Sequence, residues 1–202
     1  IAFTCGGTSG HINPALAIAA ALRAEHPEVD LLFVGREEGL EAELVPQAGY
    51  AYHTIEAKPF PRRLSMELWD SWRTLQHSTR VARELLRREA VDAVVGTGGY
   101  VTAPLMAAAK QLKIPRVLHE QNAFPGQSNR RMSQGATVCL TFEETREYFK
   151  KAARVEVTGN PVRKEFFSLS KQDARKRLGY TPTERLVLFT GGSQGARSLN
   201  EV

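Results

Sequence analysis

The chain opens Ile1-Ala2-Phe3-Thr4-Cys5-Gly6-Gly7-Thr8-Ser9-Gly10-His11: a short apolar run, a glycine loop and the start of a helix. The same order returns near the other end as Leu186-Val187-Leu188-Phe189-Thr190-Gly191-Gly192-Ser193-Gln194-Gly195-Ala196. A third glycine turn, Val94-Val95-Gly96-Thr97-Gly98-Gly99-Tyr100, lies between them. Apolar runs of this length bounded by glycine read as buried strands. Loops of this kind let backbone N–H groups approach a phosphate at the positive end of the following helix. Two of them at matching places imply two similar nucleotide-binding-type domains facing one ligand. The second has barely begun at Val202.

Working outward, strand and helix patterns alternate. Strands are predicted at Ile1–Cys5, Asp30–Val34, Tyr50–Ile55, Val91–Val95, Arg116–His119, Ala136–Leu140 and Val155–Thr158. Between them, Pro14 suits a first helical turn, with Ala15, Leu16, Ile18, Ala19 and Leu22 as its apolar face. Ser65 can cap a long helix to about Glu89, with Leu68, Trp69, Trp72, Leu75, Leu85 and Leu86 at helical spacing. Further helices are expected at Val101–Leu112, Gly126–Ser133 and Glu143–Lys151. Repeated strand–helix units call for an α/β fold, a Rossmann-like, doubly wound parallel sheet that binds ligands beyond the carboxyl ends of its strands. After Gly159-Asn160-Pro161 the pattern becomes polar, with a helix at Lys171–Leu178 and a strand at Leu186–Phe189. This puts one domain at residues 1–160 and a hinge with the start of another at 161–202. A lone strand and half a helix cannot bury a core, so residues after Pro161 are expected to be loosely held or docked on the first domain.

Composition is that of a globular protein, 42% hydrophobic and 24% charged, with no apolar stretch of membrane-spanning length. No signal peptide is read at the start, and the missing initiator Met implies that a few residues precede Ile1. Cys5 and Cys139 read as buried reduced thiols of a cytosolic protein, and no Cys/His cluster has metal-ligand spacing. Four of the five net positive charges fall between Lys58 and Ala90, where eight basic residues meet four acidic ones. That segment fits an anionic lipid surface, a diphosphate or, last, a nucleic acid, for which no motif is visible.

Each motif has a sharp and a plain meaning. Gly6–Gly10 is no Walker loop, since no Gly-Lys-Ser/Thr follows, and Cys5 stands where a dinucleotide fingerprint needs glycine. A tight turn that binds nothing has the same spelling. His11, at a helix N-terminus, faces the ligand crevice, where the dipole favours the neutral imidazole of a general base; the plainer role is a helix cap. His119-Glu120-Gln121-Asn122 suits hydroxyl and carbonyl recognition, or else caps the next helix. Arg163 can reach a diphosphate or be a surface linker arginine. Phe60, Trp69 and Trp72 among arginines form either an interfacial membrane patch or core aromatics behind a solvated face.

Taken together, Gly-Gly-Thr-Ser-Gly-His at 6–11, Gly-Thr-Gly-Gly-Tyr at 96–100, His-Glu-Gln-Asn at 119–122, Gly-Asn-Pro-Val-Arg at 159–163 and Gly-Gly-Ser-Gln-Gly-Ala at 191–196 resemble the MurG family. These are bacterial transferases that move N-acetylglucosamine from its UDP donor to undecaprenyl-pyrophosphoryl-N-acetylmuramyl-pentapeptide in peptidoglycan synthesis. The resemblance covers the family's acceptor-side domain and the first strand and loop of its donor-side domain, with Ser9 where the family often has glycine. It implies a two-domain GT-B glycosyltransferase that needs no cofactor and no metal. Thr8, Ser9 and Gly10 would meet the donor's diphosphate or sugar, and Asn122, Arg163 and Ser193 would be further donor contacts. His11 would be the base, and the segment Phe60–Arg88 would dock on the cytoplasmic face of the cell membrane.

Two other classes fit parts of the chain. An NAD-type oxidoreductase is suggested by the first loop with Glu37 or Glu38 at the end of the second strand. A non-catalytic acceptor-binding or membrane-anchoring half of a split glycosyltransferase is suggested by the small share of the second domain.

Overall fold

The computed structural model describes residues 1–59 and 66–191. It divides into two compact units, Ile1–Pro161 and Val162–Val202. Ser65, the expected helix cap, and Phe60, Arg62 and Arg63 lie outside the described residues, as does the last glycine loop from Gly192 onward with Ser193 and the start of its helix.

The first unit is a seven-stranded sheet in the order β3-β2-β1-β4-β5-β6-β7, every pair parallel. Its strands are β1 (Ala2–Cys5), β2 (Leu32–Gly35), β3 (Ala51–Thr54), β4 (Val94–Gly98), β5 (Arg116–Glu120), β6 (Thr137–Leu140) and β7 (Arg154–Val157). The connecting helices are α1 (Ser9–Glu25), α2 (Leu40–Gln47), α3 (Met66–Arg88), α4 (Thr102–Leu112) and α5 (Gln127–Met132), with a 3-10 turn at Glu143–Phe149. The expected doubly wound α/β sheet is present. Strand alternation sends Phe3, Cys5, Phe33 and Val95 to a core under α1 and α2. Ala2, Val34, Val94, Leu118 and Val138 go to the opposite face, under α3 and α4.

Chain order reverses between β1 and β4, so the loops that leave these two strands flank the switch point where such sheets bind ligands. Gly99, at φ +89°, approaches the first loop so closely that a Cβ there would lie 2.3 Å from the Gly6 carbonyl oxygen.

Several elements differ from expectation. Helix α1 begins at Ser9 with Thr8 as its N-cap, which leaves Pro14 in the second turn instead of the first. Pro14 has no N–H to give the Gly10 carbonyl, a loss that is tolerable because the crevice end of the helix reaches water. Strand β4 runs to Gly98, three residues past the expected end, so most of the third glycine motif is strand. Gly96 makes this possible, since a Cβ there would lie 2.6 Å from Met106 Cε of α4. Helix α2, with Pro46 inside it, was not expected at all. Of the two alternatives for Trp69 and Trp72, the structure gives the exposed one: they are 70% and 49% exposed on α3. The inner positions are Ser71, Thr74, Ser78 and Ala82, whose small side chains let α3 pack against α4.

The second unit holds α6 (Glu165–Ser168) and α7 (Lys171–Arg177), the latter capped by Ser170, whose Oγ accepts the Asp173 amide at 3.1 Å. Leu186–Phe189 is not a strand, and its four side chains are 47–80% exposed. Among the described residues of that unit no strand stands beside it, and a strand without a ladder partner gains nothing over hydration.

Candidate functional site

The first glycine loop is braced from beneath by Glu41, a fully buried carboxylate of α2. Its Oε2 accepts the Gly7 amide and its Oε1 the Arg36 amide, each at 3.3 Å. The carboxylate fits because Gly6, Gly35 and Gly39 have no Cβ; one added at any of them would lie within 2.7 Å of a Glu41 side-chain atom. With Glu41 beneath the loop, burial pushes the Cys5 thiol and the Tyr52 phenol well above their usual pKa values, so neither ionises at neutral pH. With its amide engaged by Glu41, Gly7 is not open to a phosphate. This also counts against a dinucleotide site, as does the placement of Glu37 and Glu38 on the exposed turn before α2.

The half-buried His11 is held across the switch point. Its Nδ1 lies 3.1 Å from the Thr97 carbonyl oxygen and 3.4 Å from Gln121 Oε1, two acceptors that require the proton on Nδ1. Thr97 Oγ1 in turn donates to the His11 carbonyl at 2.6 Å. Gly98, at φ +112°, makes room for the ring, since a Cβ there would lie 2.7 Å from Nδ1. The His11 side chain therefore does not cap its own helix. Among the described residues its Nε2 has no partner, which leaves a lone pair available. His11 lines a cavity of about 360 Å³, with Leu75, Gly98, Gly99, Tyr100, Glu120 and Asn129 also on its wall. That volume suits a sugar-sized ligand.

The four polar residues that end β5 divide their work. Glu120 is 1% exposed, and its carboxylate accepts four N–H groups: Asn122 N and Nδ2 through Oε1, Gly126 N and Asn129 Nδ2 through Oε2, all between 2.9 and 3.0 Å. This folds the loop after β5 back onto the strand and orders the start of α5, which is the helix-capping alternative. His119 is equally buried, and desolvation lowers its pKa below the ordinary 6.5, so it is neutral at pH 7. Asn122 is exposed, with its amide nitrogen committed to Glu120. Asn129 lines the cavity, and its Oδ1 is buried with no partner among the described residues.

Thr8, Ser9 and Gly10 form the N-terminal end of α1 beside His11, with Thr8 and Ser9 half-buried and Gly10 exposed. Arg163 belongs to the second unit, where its guanidinium sits 5.7 Å from the Phe166 ring centre. Trp69 and Trp72 make an exposed edge-to-face pair at 6.0 Å near the start of α3, with Arg73 exposed beside them. Among the described residues no helix is long and apolar enough to cross a membrane. Sequence reasoning missed Glu41, Asn129 and the Thr97 carbonyl. One glutamate among four in residues 37–43 gives no sign that it alone is buried.

With this geometry in place, the relatives can be compared. The Glycosyltransferase family 28 N-terminal domain matches residues 1–141. A UDP-N-acetylglucosamine–N-acetylmuramyl-(pentapeptide) pyrophosphoryl-undecaprenol N-acetylglucosamine transferase of Acetivibrio thermocellus is 42% identical, over 96% of this chain and 53% of its own length. The protein of the same name from Halothermothrix orenii is 43% identical, over 100% of this chain and 54% of its own. The crystal structure of Acinetobacter baumannii MurG superposes with a TM-score of 0.65 at 29% identity, covering 78% of this chain and 44% of that one. The chain thus spans about half the length of the curated relatives it matches. From β1 through β6, with the switch-point loops and the His11 crevice, the match spans residues 1–141, and this chain belongs to glycosyltransferase family 28.

Proposed function

We propose that this chain supplies the acceptor side of an inverting transferase that moves N-acetylglucosamine from UDP-N-acetylglucosamine to a lipid-linked N-acetylmuramyl-pentapeptide. The observation that carries this reading is His11, which lines a sugar-sized cavity with Nδ1–H committed to the Thr97 carbonyl and, among the described residues, no partner at Nε2. The 4-hydroxyl of the acceptor muramyl sugar attacks the donor's anomeric carbon from the face opposite UDP. The new C–O bond forms as the bond to the diphosphate breaks, UDP leaves with the electron pair, and the configuration inverts to β. His11 Nε2 takes the hydroxyl proton.

The donor contacts in this reading are Thr8, Ser9, Gly10 and Asn122, with Arg163 and Ser193, and charge on the departing diphosphate is met by backbone amides and Arg163. The exposed Trp69–Trp72 pair and the arginines of its segment support docking at the cytoplasmic face of the cell membrane, where a lipid-linked acceptor resides.

Turnover in a full-length enzyme carrying this chain tests the reading. His11→Ala lowers kcat by about 10²- to 10⁴-fold with the donor KM little changed; a loss confined to the donor KM would make His11 a binding residue. For the membrane, binding to anionic vesicles is weakened by salt and by changing Arg62, Arg63 and Arg73 to Glu. Unaltered binding by that triple variant would move the contact elsewhere.

A further inference from the structure

Gln121 sits between two histidines. Its Nε2 donates to the Thr97 carbonyl at 2.8 Å and to His119 Nδ1 at 3.2 Å, while its Oε1 faces His11 Nδ1 at 3.4 Å. The amide has one stable orientation. Turned over, it would set Oε1 against the Thr97 carbonyl oxygen at hydrogen-bond distance, two acceptors with no proton between them, and would set its N–H groups against the Nδ1–H of His11.

The proton order then follows from one end to the other. His119 Nδ1 accepts from Gln121, so the His119 proton sits on Nε2, which donates to the Gly159 carbonyl at 3.0 Å. Gln121 Oε1 and the Thr97 carbonyl both accept from His11, so the His11 proton sits on Nδ1. Gly159 lies two residues before the end of the first unit at Pro161, at φ +77°. A four-member chain of donors and acceptors thus runs from the segment joining the units to the imidazole in the crevice.

We infer that Gln121 is a positioning residue that keeps the His11 proton on Nδ1, and that His119 ties this choice to the Gly159 carbonyl in the segment between the units. If Gly159 swings away, Nε2 of His119 loses its acceptor, and its proton is free to move to Nδ1. Nδ1–H then meets the Gln121 N–H, and the amide no longer holds its Oε1 against His11 Nδ1–H, so the imidazole loses one of the two acceptors that orient it. The base is held best when the backbone at Gly159 is seated. This rests on the reading of His11 as the base, although the proton order itself does not.

Two measurements test it. In the unsubstituted 202-residue chain, ring ¹⁵N shifts at neutral pH should show His11 as the Nδ1–H tautomer and His119 as the Nε2–H tautomer. His11 in the Nε2–H form, or His119 in the Nδ1–H form, overturns the inference whatever the activity. In the full-length enzyme, Gln121→Leu and His119→Phe should each lower kcat by about 10²-fold with both KM values unchanged, inside the range a general base contributes. Added to His11→Ala, neither should lower kcat further, because each acts only through that imidazole. Losses that instead multiply with that of His11→Ala make both residues merely structural and overturn the coupling. If His11→Ala itself leaves kcat intact while the tautomers are as stated, the proposed base is wrong and the proton order stands.

Discussion

Ala2–Cys5 and Leu186–Phe189 are four-residue, largely apolar runs that each lead, within a residue, to Gly-Gly and a hydroxyl side chain. In the structure they share nothing. The first is a buried strand held between β2 and β4, with its glycine loop propped by Glu41 and touched by Gly99. The second is exposed and forms no strand. The difference lies in neighbours. A parallel strand takes its hydrogen bonds from both sides and its burial from both faces, so its stability belongs to the sheet and not to its own residues.

The largest expected effect is in amide hydrogen exchange. Residues 3–5 and 94–96 should exchange at least about 10³-fold more slowly than residues 186–189, because the former open only with the sheet. Comparable protection in the two runs would break the comparison.

Next come the props of the first loop. Gly99→Ala forces a Cβ against the Gly6 carbonyl at positive φ and should cost about 3 kcal/mol. Gly7 has φ +89° but nothing within 4 Å of an added Cβ, so Gly7→Ala should cost only about 1 kcal/mol. Denaturant titration of both variants separates crowding from backbone strain; equal losses would mean that the contact with Gly99 is not what holds the loop. Glu41→Ala leaves the Gly7 and Arg36 amides without their acceptor and empties a glycine-lined cradle, at a cost of about 2 kcal/mol. A matching change of any carboxylate in the second unit should have no such effect, since the 1–161 unit carries the buried ones among the described residues.

A smaller effect distinguishes the units by pH. Folded His119 binds its proton less readily than the unfolded residue, whose pKa is 6.5. Below about that pH the unfolded chain holds the extra proton, so stability is complete above pH 6.5 and is lost as pH falls toward the lower folded pKa. Thermal melts between pH 7.5 and 5.5 should show this decline in the parent and a weaker one in His119→Phe. An identical decline in both would place the titration elsewhere. The smallest effect is expected at Trp69, which is 70% exposed: Trp69→Ala should change stability by less than about 0.5 kcal/mol while weakening vesicle binding.

The parallel sheet was legible because its central strands are buried on both faces and so read as mostly apolar runs beside a glycine, as in Val91–Val95 and Ala136–Leu140. The crevice was legible for the same reason, since the polar run His119–Asn122 stands out against such a strand. What those four residues do was not. His119 and Glu120 turn inward to bond the loop and the joining segment, and only Asn122 is left exposed. The side taken by the tryptophans of α3 was open in the sequence. Helical spacing alone allows either face, and the choice was made by the small residues that α4 requires.

By itself, the sequence determined that the first 160 or so residues form a doubly wound sheet and that glycine loops and His11 gather at one end of it, because periodicity and glycine placement are local properties. The tertiary structure decided the rest. It chose Glu41 out of four nearby glutamates because three glycines from separate segments leave room for one carboxylate. It chose which nitrogen of His11 is free because the Thr97 carbonyl, 86 residues away in the chain, accepts the other proton. Among the described residues it gave Leu186–Phe189 no strand partner, although that run, like β1, leads into a glycine pair. Burial, hydrogen-bond direction and strand pairing are relations between distant segments, and no single segment carries them.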